Sequence, residues 1–412
     1  MKVAIIIRRL DVKGGSQRLV LYLANKLQEW GHEVKLYAFF YSKESCFPDL
    51  LQGLEVVALD PLRARERRYP RLSRIPILGY LATMLRIGRE TTSARAMAAM
   101  IDRDVDILNP HERVAHRAAH FYQRHVRAVP SVWNTNDTHS LRFLVAKLED
   151  IDPAYGQPWW KHLGYRICDW YENWRYISSQ DAIVVVDEFN RRATREYFGR
   201  EAVVVRNGPN PGQFTYRPRR PLTKEVKLLT SGIFFPHRRF EDAIRGVECL
   251  SSWGYDPVLW IIGDPAGDPA YAEKLSQLVR ERHLEARVEF LGRISEEKLV
   301  SYYHQADIFL YPHHLQSDGL APTEAMISGL AVIVSRSAGI HEIIRERETG
   351  LLVNPKDPEG IAGAVKELIE DPELYLKLSA NGSAYVRATL SPETQARGIL
   401  SVYEEVLRTK RG

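Results

Sequence analysis

Nineteen residues, Tyr311 to Gly329, bring together much of what could do chemistry in this chain. An apolar run ends at Tyr311, a polar loop containing Gly319 follows, and Pro322 opens a helical pattern where its missing N–H is no loss. The first amides of such a helix lack intrahelical partners. Those of Gly319 and Leu320, with Ala321 beside them, therefore form a ready anion site. Glu324, in the first turn, is placed to accept the vicinal hydroxyls of a ribose, although a carboxylate there also complements the helix dipole. Asp104-Val105-Asp106 has the spelling of a metal-binding carboxylate pair, but it stands at the entry of a strand, where a structural use is expected, and no metal is assigned. The three cysteines, Cys46, Cys168 and Cys249, lie far apart without a CxxC pair, which argues against a zinc site or a disulfide framework and for a reducing, cytoplasmic setting.

The elements that must carry these groups follow an α/β rhythm, with short aliphatic runs alternating with longer amphipathic stretches. In the first half, strands are expected at Met1–Ile7, Val34–Phe40, Leu54–Ala58, Asp106–Leu108, Ser131–Thr135, Ala182–Val186 and Ala202–Val205. A turn at Gly14-Gly15 leads into a helix from Ser16 to about Trp30. Arg206 to Thr223, with four prolines and no helical period, reads as a linker. The rhythm then restarts, with strands at Val226–Ser231, Val258–Ile262, Val288–Phe290, Ile308–Tyr311 and Ala331–Val334 and helices between them, one of them at Pro322–Ser328. Two doubly wound domains are expected, residues 1–206 and 207–391. A last segment, 392–412, is helical over Glu393–Leu407 and returns to the first domain. Their strand ends would face one cleft, the usual ligand crevice.

Composition narrows the field. With 45% hydrophobic and 26% charged residues the chain is globular. No uncharged run exceeds 11 residues, too short to span a bilayer, and Val3–Ile7 is too short for a signal-peptide core. The net charge of +5 is mild, but eight arginines crowd the segment from Leu62 to Arg89 among tyrosines and aliphatics. Such a segment suits an anionic membrane surface or a pyrophosphate headgroup, or else a solvated basic helix; no nucleic-acid motif accompanies it.

Nine pieces stand in an order that resembles the large family of retaining GT-B glycosyltransferases called family 4. They are Gly14-Gly15; Arg206-Asn207-Gly208 with Phe214; Ser231-Gly232; Leu259–Gly263; Val288–Gly292; Ala306–Pro312; Pro322–Gly329; Ala338-Gly339-Ile340-His341-Glu342; and Thr349–Val353. The resemblance implies transfer of a sugar from a nucleotide-sugar donor, GDP- or UDP-linked, with retained configuration and neither metal nor other cofactor. It implies that the second half binds the nucleotide, Glu324 holding the ribose and the amides near Gly319-Leu320 meeting the diphosphate. Ser231, Gly232, Arg293, Ile294 and Asp318 join these as donor-binding candidates, and Gly14-Gly15 would approach the phosphates or sugar from across the cleft. Arg238, within Phe235-Pro236-His237-Arg238-Arg239, matches the family lysine that neutralises the leaving diphosphate. Arg239 is a second candidate for that charge.

Three departures from the family pattern bear on catalysis. Gln316 stands where the first Glu of the Glu-x7-Glu pair is expected, and an amide cannot accept a proton. Asp318 or His314 could compensate. Ile233 replaces the arginine that precedes the lysine, and Asn136 takes the place of a histidine at a strand end, leaving Asp137, His139 or His111 to face the acceptor. A front-side displacement, in which the leaving phosphate takes the acceptor's proton, lessens the need for a side-chain base. On the acceptor side, Tyr41–Phe47, the arginine-rich stretch and the aromatic segment Trp159–Trp174 resemble, more faintly, mannosyltransferases of lipid-linked oligosaccharide assembly. That implies GDP-mannose, a glycan or polyprenyl-linked acceptor and peripheral attachment at the cytoplasmic membrane face. A nucleotide-sugar epimerase and a catalytically silent nucleotide-sugar-binding subunit are the alternatives, the latter kept open by Gln316, Ile233 and Asn136.

Overall fold

The structure is a computed structural model that describes residues 1–59, 76–151 and 156–411, the side chains of 76–86 and 411 excepted. The arginines expected between Leu62 and Arg74 lie outside the described residues.

Two parallel sheets organise the chain. The first is built from β1 (Lys2–Leu10), α1 (Gly15–Glu29), β2 (Glu33–Tyr41), β3 (Glu55–Ala58), α2 (Pro76–Met100), β4 (Ile107–His111), α3 (Ala115–His125), β5 (Val132–Thr135), α4 (Leu141–Ile151), α5 (Trp159–Arg175), β6 (Ala182–Val185), α6 (Glu188–Phe198) and β7 (Val203–Val204). The second comprises β8 (Glu225–Ser231), α7 (Phe240–Ser252), β9 (Asp256–Ile262), α8 (Pro269–Glu281), β10 (Val288–Gly292), α9 (Glu296–Gln305), β11 (Ile308–Tyr311), α10 (Leu320–Ile327), β12 (Ala331–Ser335), β13 (Leu351–Val353), α11 (Pro358–Glu370) and α12 (Pro372–Thr389), with α13 (Pro392–Arg411) closing the chain.

The strand orders are β3-β2-β1-β4-β5-β6-β7 and β10-β9-β8-β11-β12-β13. In both, the chain reverses its direction of travel across the sheet between the first strand and its later neighbour, β1 beside β4 and β8 beside β11. Ligands of open α/β sheets bind outside the strand ends at such switch points. Gly14-Gly15 follows β1, Glu112 follows β4, Gly232 follows β8 and the polar loop before Gly319 follows β11. Topology alone therefore gathers the motifs.

Central strands are buried on both faces, as their aliphatic runs require: Ala4, Ile5, Ile6 and Ile7 in β1 and all of β12 are inaccessible. α13 crosses back, placing Ala396, Ile399, Val402 and Tyr403 in the core formed by β1, β2 and α1. Three boundaries differ from the sequence reading. β1 continues through Arg8-Arg9 because both side chains lie at the sheet's margin while Leu10 returns to the core, and Arg9 pairs with Asp11. A sixth strand, β13, pairs with β12 but has only three residues, too few for a periodicity signal. α10 starts two residues before Pro322, so Gly319 is its N-cap and the proline falls in the first turn, where four N–H groups have no intrahelical partner anyway.

Candidate functional site

The β11–α10 loop folds as it does because Gly319 has no side chain: a Cβ there would come within 2.4 Å of the Tyr311 hydroxyl. Across the cleft the Gly14-Gly15 loop approaches it closely, since a Cβ on Gly15 would stand 3.8 Å from Leu320 Cδ1. Gly232 makes room for the Arg238 side chain, whose Nε would lie 3.2 Å from an added Cβ. Gly14, Gly15, Ser231, Gly232, Arg238, Gln316, Gly319, Leu320 and Ala321 are thus all on loops or helix starts at the strand ends that face the cleft.

Arg238 has an unusual environment. Its Nη1 donates to His313 Nδ1 at 3.1 Å, and its Nε is buried with no partner. Among the described residues it forms no salt bridge. His313 is fully buried and its pKa is pushed far down by that burial and by Arg238, so its ring is neutral and can accept. Lys147, on α4 of the other domain, lies within the field of Arg238, as α4 packs against Pro236–Arg238. Burial, and then Arg238, pull the Lys147 pKa below its ordinary value, with Asp137 and Asp187 opposing. His237, also in this field, falls to about 2 through burial and Arg238, and it hydrogen-bonds Gln316. Two half-buried cations that form no salt bridge among the described residues can receive an anion.

Arg239, expected as a second cation, is differently placed. Its Nε and Nη2 donate to Asp242 at 2.9 and 2.7 Å and its Nη1 reaches Glu241 at 2.9 Å, so the whole fork is engaged on the start of α7. Lys147 stands where Arg239 was sought. No sequence signal marked it, because a single lysine in an amphipathic helix reads as a solvated one.

Glu324 is 5% exposed and has both oxygens occupied, one by Arg18 of α1 at 3.1 Å, the other by the Tyr303 hydroxyl at 3.1 Å. Arg18 also reaches Glu296. Burial raises the Glu324 pKa while Arg18 opposes the rise. A ribose would have to share this carboxylate with Arg18, or displace it.

Asp318 belongs to the seam between the domains. Its amide donates to Asp187 at 2.6 Å, and Asp187 in turn caps α6 through Asn190. Nearby, Glu342 accepts from the amides of Glu188 and Phe189 and from Arg206 at 2.6 Å. Three carboxyls thus gather around one arginine, and enclosure together with Asp187 pushes the Asp318 pKa up to about 8. Asp318, expected at the donor, is thus engaged through its amide in an interdomain bond. His314 likewise bridges domains, bonding Ser337 and Asp150. Gln316 donates to Ser317 at 3.1 Å. Arg293, largely exposed, pairs with Asp264 at the rim, and Ile294 packs on the second core.

On the first domain, Asn136 donates to Ser16 Oγ at 3.0 Å, tying the end of β5 to the glycine loop. His111 is buried within β4, bonded to Asn109 at 2.6 Å, its pKa lowered to about 3 by burial; it does not face the cleft as expected of an acceptor-side residue. Its neighbour Glu112, half-buried and at left-handed φ, bonds Ser16 through its carboxyl, whose pKa is raised by burial. Asp104 pairs with Lys2 and Asp106 accepts the Lys2 amide, the structural use expected of them. Among the described residues no group of three or more His, Cys, Asp or Glu is arranged to hold a metal ion.

Comparison with known proteins agrees with this architecture. Residues 13–213 match the family described as Glycosyltransferase Family 4, and residues 213–385 match Glycosyl transferases group 1; the two abut at the linker. Glycogen synthase of Mycobacterium tuberculosis (strain H37Rv) is 27% identical over 58% of this chain and 57% of its own. D-inositol 3-phosphate glycosyltransferase of Corynebacterium glutamicum is 31% identical over 48% of this chain and 49% of its own. The lipopolysaccharide core mannosyltransferase LpcC of Rhizobium leguminosarum is 33% identical over 34% of this chain and 40% of its own. The chain thus spans about half the length of the relatives it matches. Two solved structures share the fold: sucrose-phosphate synthase of Thermosynechococcus elongatus (18% identity, TM-score 0.73, 99% of both chains) and HepE of Anabaena in complex with UDP and glucose (15%, 0.71, 98% and 100%).

Proposed function

We propose that this chain, whose two halves match Glycosyltransferase Family 4 and Glycosyl transferases group 1, is a GT-B glycosyltransferase of family 4 that moves a hexose, mannose being the first candidate, from a GDP- or UDP-linked donor to a glycan or lipid-linked acceptor. The anomeric carbon–phosphate bond breaks and the acceptor oxygen bonds to the same face. The acceptor's proton passes to the departing phosphate oxygen, so configuration is retained and neither metal nor cofactor is needed. Negative charge grows on the diphosphate as it leaves, and fixed cations facing that charge lower the barrier. The single observation that carries this reading is Arg238: half-buried, with an enclosed orphan Nε, no salt bridge among the described residues, and Lys147 near it from the other domain. Gln316 cannot act as a base, which suits a reaction that uses the leaving group as one. Glu324 serves the ribose once Arg18 gives way.

The test is a panel of nucleotide sugars, with release of nucleoside diphosphate measured for the native chain and Arg238→Ala. Slow hydrolysis by the native chain that falls at least about tenfold in the variant supports the assignment, a modest loss for a transition-state cation. Tight donor binding without diphosphate release would instead indicate the silent subunit, and a second nucleotide sugar without diphosphate the epimerase.

A further inference from the structure

A cavity of about 310 Å³ lies in the first domain, away from Arg238. Trp133, Leu141, Ile167, Trp170, Ile177 and Phe198 supply its apolar wall. At one end stand Arg113, His116 and His139, and two ring nitrogens there, His116 Nδ1 and His139 Nε2, are buried without a hydrogen-bond partner. Buried polar atoms are nearly always satisfied, so an occupant with a polar head is indicated, and the size is at the small end for ligand sites. His139 lies three residues beyond Asn136 in the segment that follows β5.

The cavity's outer wall is α5. Along it Trp159, Leu163, Ile167, Trp170 and Trp174 recur at intervals of four, four, three and four, one face of a helix. That face is bare: Trp159, Trp170 and Trp174 are 76%, 64% and 61% exposed, the last two stacking on each other and Trp174 also meeting the Tyr171 ring. The helix carries two acids, and both turn inward. Asp169 accepts from Ser140 and the Leu141 amide, and Glu172 from Arg117 and His116. Lys161, Arg166 and Arg175 are left as its cations. Tryptophans beside unopposed cations fit the headgroup layer of an anionic bilayer. Among the described residues no helix is long and apolar enough to cross one.

We propose that α5 rests on an anionic membrane and that the cavity beneath it takes the apolar tail of an amphiphilic acceptor, whose hydroxyl or phosphate head meets Arg113, His116 and His139. Naming the occupant an acceptor rests on the transferase reading; the binding itself does not. Cys168 lines the cavity and reports on it. In a full-length Cys249→Ser background, farnesyl phosphate or lauryl phosphate should slow alkylation of Cys168 about tenfold while inorganic phosphate does not, and the two tails distinguish an isoprenoid from an acyl occupant. Vesicles of phosphatidylglycerol and phosphatidylcholine should sediment the native chain, vesicles of phosphatidylcholine alone should not, and Trp159→Ala with Trp174→Ala, neither of which lines the cavity, should weaken sedimentation about tenfold. Donor hydrolysis should be unchanged by that pair. Leu141→Trp, which fills the cavity, should abolish protection of Cys168 and leave sedimentation intact. Equal protection by inorganic phosphate, no protection by either amphiphile, or a dimer in lipid-free buffer that the tryptophan pair dissolves would overturn the proposal. Absence of donor hydrolysis in the native chain would overturn the transferase reading alone.

Discussion

Arg238 differs from the other enclosed arginines of this protein in what it touches. Arg117 has Glu172 and Glu90, Arg18 has Glu324 and Glu296, Arg206 has Glu342, and Arg219 donates to the carbonyls of Tyr303, His304, Ala306, Ser328 and Gly329. Arg238 has a neutral imidazole and the Tyr311 hydroxyl, and no carboxylate among the described residues. An unneutralised buried charge costs stability unless a ligand supplies the counter-charge, which is why its replacement should affect turnover more than folding. Arg238→Ala should lower kcat about a hundredfold, as loss of one fixed transition-state donor does, and Arg238→Lys less. Lys147→Met should act in the same direction. Because burial and Arg238 hold the Lys147 pKa down, its cation is present below that pKa and lost as pH rises through it. The KM for donor should therefore climb at alkaline pH, and Lys147→Arg should move that limb upward; an unchanged profile in the arginine variant would count against Lys147. Glu324→Ala should cut kcat/KM at least about tenfold, the worth of one charge-assisted hydrogen bond.

At the scale of elements, α1 touches the second domain at its most sensitive point, since Arg18 occupies the carboxylate on α10. Arg18→Ala leaves a buried Glu324 uncompensated and should cost about 3 kcal/mol of stability, measured by denaturant unfolding, while lowering the KM for donor because the ribose no longer competes. A variant with unchanged KM would show that Arg18 and the ribose do not share Glu324. The seam under α6 has its own signature. Asp318 has its pKa raised to about 8 in the fold, so the native state holds this proton more tightly than the unfolded chain does. Its stabilising contribution is complete below the ordinary carboxyl range and is lost as pH rises through about 8. Melting temperature should fall as pH rises from about 5 to about 8 in the native chain, and fall less in Asp318→Asn. These contacts explain what could be read from the sequence and what could not. Strand ends and the Gly319–Glu324 turn were legible because glycine, proline and aliphatic runs encode local backbone. Arg18, Lys147, Glu112 and the Asp187–Asp318 contact were not, because each acquires its meaning from a partner far away in the sequence.

As a whole molecule the protein is two sheets with α13 returning to the first and with Arg238 and Lys147 brought near each other where α4 packs against the loop after β8. The fold-level expectation held because both halves repeat one topology, while the positions of Arg239, His111 and Asp318 departed from it because side-chain pairing, not strand order, decides which groups stay free. The reading stands or falls on where a nucleoside diphosphate binds. The direct measurement is a crystal structure of the chain with GDP or UDP. It should place the β-phosphate against the Arg238 guanidinium and the amides at Gly319 and Leu320, with Lys147 opposite and the ribose at Glu324. A diphosphate bound elsewhere, or a cleft in which Arg238 and Lys147 close on protein groups and admit no nucleotide, would contradict it.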